Sequence, residues 1–599
     1  MFSSPYHSFH IPVLGISFTI DTPIKVARYG LASVVSIVDD ELIEDMRHYH
    51  ATTNDLEYTP ITSKMHDFRS LRITNYLNLM KQLIDKQIET IKNQDFSIGS
   101  ELRKYFELLP SSSELRAKFD KMLEEKDKIK QQLLQSFLKN QVVAGAIDVN
   151  IMAKIDNQQY TKEGEKMPDE FSDALSALRG FAQSDLASSV IVSAGYNPKL
   201  FNYFEQFDDF YPTADGKLKK RIVLKVSDFR SAMVQGKILA KKGLWVSEFR
   251  IESGLNCGGH AFATEGMLMG PILEEFNNNR KSLQEELFEI CKVQLAAKNK
   301  SMFSEMPEQK VTAQGGIGTA EEHALLLEHY QLDATGWGSP FLLVPEATNM
   351  DDKTLFQLST AKQEEFYLSD ASPLGVPFHN FKRTTSDELR KERIAKGRPG
   401  SPCYKKYLSS NTEFTDKPIC TASRQYQDLK IKELNNQGLS ESELSQQIAQ
   451  VEEKECLCEG LSSGVRIANN MKIPHKLSAV TVCPGPNLAY FTGIFSLKSM
   501  LNHIYGREQL NNQVERPHMF VNELKLYVDY LQKRMSARGE QFNEKQEKYY
   551  LKFKENLLAG IDYYKSNHGK IMELPINLKH IKLLDGRLKN LFAPKLEMV

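Results

Sequence analysis

Three short stretches of the chain hold the residue types that chemistry needs. Gln314-Gly315-Gly316-Ile317-Gly318-Thr319 leads into a helical pattern from Ala320. Glycines let a backbone come close to a phosphate, and a helix start offers unpaired N–H groups and the positive end of its dipole. Thr335-Gly336-Trp337-Gly338-Ser339 is a second Gly-rich turn, ending on a hydroxyl. Either turn alone serves equally as a tight connection, but two in succession, each at the end of a strand-like run, fit a phosphate grip better. The third stretch, Glu252-Ser253-Gly254-Leu255-Asn256-Cys257-Gly258-Gly259-His260, sets a histidine on a glycine turn. Histidine can move a proton near neutral pH, although one in this place can also cap a helix. Cys257 reads as a nucleophile or as a small buried hydrophobe.

Five of the seven cysteines, Cys403, Cys420, Cys456, Cys458 and Cys483, fall in the last third of the chain. Thiolates drawn from separated segments hold zinc or an iron–sulfur cluster. The paired C-x₂-C spacing of most such sites is absent, so packed free thiols are the alternative. An odd number of cysteines in so long a chain argues against a secreted disulfide scaffold.

These residues have to be positioned by something. Eight β-branched runs, at 11–17, 33–38, 146–151, 188–193, 221–226, 246–252, 310–313 and 333–337, alternate with amphipathic helical stretches. That alternation produces a parallel sheet, and eight units in a row favour a closed (β/α)₈ barrel, an α/β fold, over an open sheet. Barrel enzymes place their chemistry at the C-terminal ends of strands and grip phosphate after strands seven and eight. The two glycine turns follow those strands, and the His260 stretch follows the sixth. About a hundred residues between the second and third strands have apolar spacing near 3.6, notably 71–93 and 113–140. They read as a helical insertion, placed over the barrel mouth, at an interface, or as a solvated hairpin. After 348 the alternation stops: 368–383 is extended, 396–403 is a Gly/Pro loop, and helices follow, among them 520–535 and 542–566. The expected organisation is a barrel from 1–40 and 141–350, a helical insertion at 41–140, and a mainly helical C-terminal region at 351–599 with a cysteine-rich segment at 403–483.

Lys and Arg number 76 against 77 Asp and Glu, a formal charge of -1, which gives no footprint for nucleic acid. The longest apolar stretches, 11–20 and 31–38, are far short of the roughly 20 residues of a membrane span. No secretory leader pattern is read at the N-terminus, so the cytoplasm is the expected compartment.

The Gly258-Gly259-His260 turn, Gly315-Gly316-Ile317, and Gly338-Ser339 followed by Pro340-Phe341-Leu342 resemble the three motifs of the nitronate monooxygenase (2-nitropropane dioxygenase) family. These are FMN-dependent TIM barrels that include a flavin-containing class of enoyl reductases. Ile11-Pro12-Val13, Asp21-Thr22-Pro23, Val149-Asn150-Ile151-Met152 and Lys225-Val226-Ser227 agree with them. Lys225-Val226-Ser227, Gly316-Ile317-Gly318-Thr319 and Asp370-Ala371-Ser372-Pro373 are more similar still to the trans-acting enoyl reductase subunits of polyunsaturated fatty acid synthases. The likeness spans about 11–380.

The resemblance implies FMN phosphate at Gly315, Gly316, Gly338 and Ser339. It implies Asn150 and Lys225 near the flavin ring, with Ser253, Cys257 and Gly258 lining it and His260 as acid/base. The flanks of the His260 turn, Asn256, Cys257 and Ala261-Phe262, depart from the family pattern, which leaves the substrate open. The implied activity is flavin-mediated redox of a small nitronate or an enoyl (acyl) substrate, with NAD(P)H or a redox protein as electron donor. A cysteine-held iron–sulfur cluster would feed electrons to the flavin. Oligomeric state, a homo-oligomer included, is left open. The residues by themselves also admit a non-redox phosphate- or nucleotide-binding barrel, or a non-catalytic partner subunit.

Overall fold

The computed structural model describes residues 6–152, 155–161, 163–193, 195–511, 515–536, 543–572 and 575–591. Eight parallel strands close into a barrel in sequence order: β1 (Phe9–Ile11), β2 (Ala32–Ser36), β3 (Ile147–Ile151), β4 (Ser189–Val192), β5 (Arg221–Val226), β6 (Val246–Glu252), β7 (Lys310–Gln314) and β8 (Ala334–Gly336). The ring shuts where Phe9 pairs with Thr335 and His10 with Gly336. Parallel neighbours have to be joined by crossovers, and helices such as Phe229–Ala240 and Ala320–Glu328 make those returns. β4 is buried along its whole length, as a strand covered on both faces has to be.

The expected first strand, 11–17, is a correction. β1 ends at Ile11 because Pro12 has no N–H to give to a neighbouring strand, and 12–21 instead runs as a loop over the barrel mouth. β5 and β6 have the expected bounds, and the other five strands differ from theirs by one or two residues at an end.

The barrel interior is charged. Arg250, 3% exposed, donates to Asp148 at 2.9 Å and to Glu248 at 2.7 Å. Glu248 also accepts from the Thr312 hydroxyl at 2.6 Å. Such burial is tolerated because every charge in the group is paired. An apolar layer of Val34, Ile191 and Val223, with Val13 packed on it, lies alongside.

The insertion does not cover the barrel mouth. Its first long helix, Phe68–Lys92, packs in the outer ring against the helix Asp173–Gln183. The remainder, helices Glu101–Glu107, Glu114–Glu124 and Lys128–Gln141, folds about its own core of Phe96, Tyr105, Phe106, Phe119 and Leu138. Residues 110–115 line a hollow with Phe9, Ala32, Arg221 and Lys310, at the end of the barrel where the strands begin. Amphipathic helices need a partner for their apolar face, and here they supply it to one another.

The mouth is roofed by the C-terminal region. Its extended stretch forms a hairpin of β9 (Phe366–Ser369) and β10 (Phe378–Phe381), and helices including Met519–Ser536, Glu544–Ser566 and Pro575–Leu591 complete it. Residue 542 of the expected helix 542–566 lies outside the described residues. The hydrophobic core runs without a break from the barrel into these helices, from Phe9 through Val465 and Phe520 to Leu588. A fully buried pair, Asp39 beyond β2 and Lys405, pins the region down, and Ser462 donates to the same carboxylate at 2.6 Å. Among the described residues no helix is long and apolar enough to cross a membrane.

Candidate active site

The C-terminal ends of the strands surround a cavity of about 260 Å³. Nine of the ten residues expected at the site line it: Asn150, Lys225, Cys257, Gly258, His260, Gly315, Gly316, Gly338 and Ser339. They come from five strands and their following loops, so the barrel alone brings them together. Val13, Val34, Ile191, Ile317 and Leu342 make apolar walls, and Phe378, Leu461, Val482 and Cys483 close the top from the C-terminal region. Gly315 and Gly316 have φ of +125° and +77°, and a Cβ on Gly316 would come within 2.0 Å of the Asn256 amide. Only glycine makes that turn.

Ser253, the tenth residue, does not line the cavity. It is buried behind it, where its hydroxyl lies 2.5 Å from Glu523 Oε1. The reason is its neighbour: Gly315 packs against Ser253, which fills the space between the two loops.

His260 is held on both faces. Its Nε2 is 2.8 Å from the Ser372 hydroxyl, and its ring lies 5.1 Å from that of Phe378. The backbone on either side is tied to the hairpin, Ala261 N donating to Pro377 O at 2.8 Å and His379 N to Gly259 O at 2.9 Å. Ser372 is fully buried and its oxygen also accepts from Leu374 N at 3.1 Å, so the hydroxyl is itself fixed and sets the plane of the imidazole.

Lys225 does not stand as a lone cation. It pairs with Glu252 at 2.9 Å, and Gln314 donates to the same carboxylate at 2.7 Å. Burial, with Glu252 beside it, pushes the Cys257 thiol well above its usual range, and its sulfur donates to Gln314 O at 3.4 Å. A protonated, hydrogen-bonded thiol lacks the thiolate a nucleophile needs.

Parts of the expected phosphate grip already have partners. Gly485 N donates to the Ser339 hydroxyl at 2.7 Å, and Gly318 N to Glu322 Oε2 at 2.8 Å. Glu322 is in turn paired with Arg516, whose Nη2 reaches Gly316 O at 2.5 Å. The donors and apolar walls fit a flat, polar-edged ring system such as a flavin. The volume is just short of the roughly 300–1,000 Å³ of common ligand pockets, and the Cys483-Pro484-Gly485-Pro486 turn takes up space beside Gly258 and Ser339.

Four of the five clustered cysteines gather in one nest. The Cys403 and Cys420 thiols are hydrogen-bonded to each other, which pulls Cys403 down and pushes Cys420 up. Cys456 and Cys458 are close enough to feel Cys403, and burial raises both. Cys483 stands apart from the nest at the mouth, its carbonyl accepting from Gly259 N at 3.0 Å. Among the described residues no three His, Cys, Asp or Glu side chains are arranged to hold a metal ion.

Sequence reasoning passed over Glu252, Glu322, Ser372, Arg516 and Glu523. Glu252 ends β6, a position the barrel rule marks for inspection. Arg516 and Glu523 arrive from a distant segment with no local pattern to announce them, whereas Ser372 stands in the Asp370-Ala371-Ser372-Pro373 stretch, to which the likeness assigned no site role.

No family model and no curated protein matches the chain. Among solved structures, the chain is similar to the enoyl reductase domain of MlnA from the macrolactin biosynthesis cluster of Bacillus amyloliquefaciens. The two are 16% identical over 68% of this chain and 86% of that one, with a TM-score of 0.30, a likeness too slight to add to what the barrel itself shows.

Proposed function

We propose that the chain is an FMN-dependent oxidoreductase of the nitronate monooxygenase or enoyl reductase type, acting on a small nitronate or an enoyl (acyl) substrate. The observation that carries this reading is the convergence of nine expected residues on one cavity at the barrel mouth, with His260 fixed over it. FMN, when bound, supplies the two-electron redox chemistry, and the protein supplies orientation and charge. Gly315, Gly316, Gly338 and Ser339 would hold its phosphate. Lys225 and Asn150 would face its ring, and the Glu252 partner tempers the lysine's charge. His260 would hold or move the substrate's proton: for an enoyl substrate it would serve the α-carbon as hydride arrives at the β-carbon, and for a nitronate, which already carries its negative charge, it would orient the substrate by donating to the nitro oxygens. NAD(P)H or a redox protein would be the reductant. The Val13, Val34 and Ile191 wall excludes water from the reacting face.

The experiment is turnover of purified protein with NAD(P)H against an enoyl thioester, and aerobically against an alkyl nitronate, each with product mass determination. His260→Ala should keep its flavin and lose about 10²–10⁴-fold in rate, the contribution of a general acid or base. Flavin-loaded protein inert on both substrate classes would overturn the activity. A second reading, a non-redox phosphate- or nucleotide-binding barrel, draws on the small cavity and the partners already on Ser339 and Gly318. It predicts protein that takes up no flavin at all.

A further inference from the structure

The loop 253–268 carries Cys257, Gly258 and His260 from the end of β6 to the helix Met269–Ala297. That helix has 29 residues, yet its N-cap is Leu268, with no side chain able to cap it. A carboxyl group from the helix Met519–Ser536 does so instead. Glu523 Oε2 accepts from Met269 N at 2.8 Å, while Glu523 Oε1 lies 2.5 Å from the Ser253 hydroxyl. One side chain therefore spans both ends of the loop. Ser253 Oγ also accepts from Asn256 N at 3.2 Å, which passes the hold on to the turn before His260.

Glu523 is 2% exposed. The groups that feel its charge are Cys257 from the loop, Tyr527 from its own helix and Tyr564 from the helix Glu544–Ser566. None is a cation, and all three are raised by burial out of the range where they would titrate. Burial pushes the Glu523 carboxyl up to about 7, with the bonds to Ser253 and Met269 pulling the other way. Among the described residues no Lys, Arg or His offsets it.

We propose that Glu523 is the positioning residue of the His260 loop, closing it as a neutral carboxylic acid and loosening both ends when it ionises. In the neutral acid the carbonyl oxygen keeps the Met269 amide hydrogen, and the acid's own hydroxyl replaces the Ser253 hydroxyl as the donor across the 2.5 Å contact with Ser253 Oγ. The anion has no partner of opposite charge and is better hydrated with the loop open. This rests on the reading above only for the role of His260, because the contact itself involves no cofactor.

The sign follows from linkage. The closed loop binds the proton more tightly than the open one, where the carboxyl returns to its ordinary 4.5. Opening therefore rises with pH, about tenfold per unit between 4.5 and 7, by no more than roughly 300-fold in all, and is level above 7.

Hydrogen–deuterium exchange of the full chain, followed in peptides covering 254–270 from pH 5 to 8.5 and corrected for the intrinsic rate, tests this. Wild type should open at least tenfold more at pH 7 than at pH 5 and then level off. Glu523→Gln copies the neutral acid, its carbonyl facing Met269 and its NH₂ facing Ser253, and should stay protected and flat with pH. Glu523→Ala should be unprotected throughout; if it fails to fold, Ser253→Ala should expose Asn256 and leave Met269 protected. A merely structural cap would give a wild type without pH dependence, and that result, or a Glu523→Gln profile that keeps the wild-type slope, overturns the proposal. In turnover, the ionisation near 7 should vanish from the kcat profile of Glu523→Gln. Absence of flavin would refute the oxidoreductase reading and leave the exchange result unchanged.

Discussion

Replacing Arg516 by Met takes the cation from a carboxylate that is otherwise sealed in. Arg516 Nη1 and Nη2 lie 2.6 and 2.9 Å from the two oxygens of Glu322, with the side chains 4% and 3% exposed. Removing one member of such a pair costs about 3–5 kcal/mol, because the other charge stays buried. Glu322 would keep two backbone donors, Gly318 N at 2.8 Å and Met519 N at 2.6 Å. The first precedes the helix Ala320–Glu328 and the second opens the helix Met519–Ser536, and helix starts favour an anion. The loss should therefore sit at the low end, about 3 kcal/mol. In urea, where a chain of 599 residues has an m above the roughly 1–3 kcal/mol per molar of small proteins, that is a fall in midpoint of up to about 1 M. Burial alone raises the Glu322 carboxyl, and Arg516 is what brings it below its usual range. Without Arg516 its folded-state value should lie above the unfolded one, so the deficit should shrink as the pH is lowered. Arg516→Met with Glu322→Gln removes both charges and should recover most of the stability. A single-mutant loss under about 1 kcal/mol, or a double mutant no better than the single, would refute the reasoning.

Ser372→Ala removes the hydroxyl that fixes His260 Nε2; flavin content and KM should hold while kcat falls by about 5–30-fold, the worth of one hydrogen bond of roughly 1–2 kcal/mol, and an unchanged kcat would remove Ser372 from the site. Cys403, lowered toward neutrality by Cys420 and half-buried, should be the first thiol alkylated at pH 7.5, and mild oxidation should join it to Cys420. Peptide mapping reads both outcomes, and zinc or iron bound in proportion to chain, shielding all four thiols of the nest, would contradict them. Asp39→Asn keeps an N-cap for the helix Asp40–Thr53 and strands Lys405 without its counter-charge. It should cost about 3–5 kcal/mol and open the 403–410 segment to limited proteolysis, whereas wild-type resistance there would show that the pair does not hold the roof.

The sequence carried the barrel clearly, because strands such as β4 and β5 are rich in β-branched residues and largely buried, and that composition is local. The barrel rule then turned positions after strands into site residues, which is why His260, Gly315 and Ser339 were legible without contacts, whereas Lys225, inside β5, came only from the family resemblance. Pro12 was equally legible as a strand stop, and reading it so would have ended β1 at Ile11. Three things were not local. The apolar spacing of 101–141 says that these helices pack, but not at which end of the barrel. The roof is built from Phe378, Leu461 and Cys483, more than a hundred residues beyond the loop they cover. Glu523, on the amphipathic helix Met519–Ser536, and Arg516, in the segment just before it, carry ordinary charged side chains, and only the fold reveals that one faces Ser253 and the other Glu322. The cysteine spacing gave the nest's members in part: the contact of Cys403 with Cys420 and the separation of Cys483 both depend on how the chain returns.

The central claim is a flavin at the barrel mouth, and the most direct measurement is an anaerobic absorption spectrum of purified full-length protein, with mass identification of the chromophore released by acid. The account predicts oxidised-flavin bands and FMN near one per chain. Colourless wild-type protein that fails to take up added FMN would contradict the account.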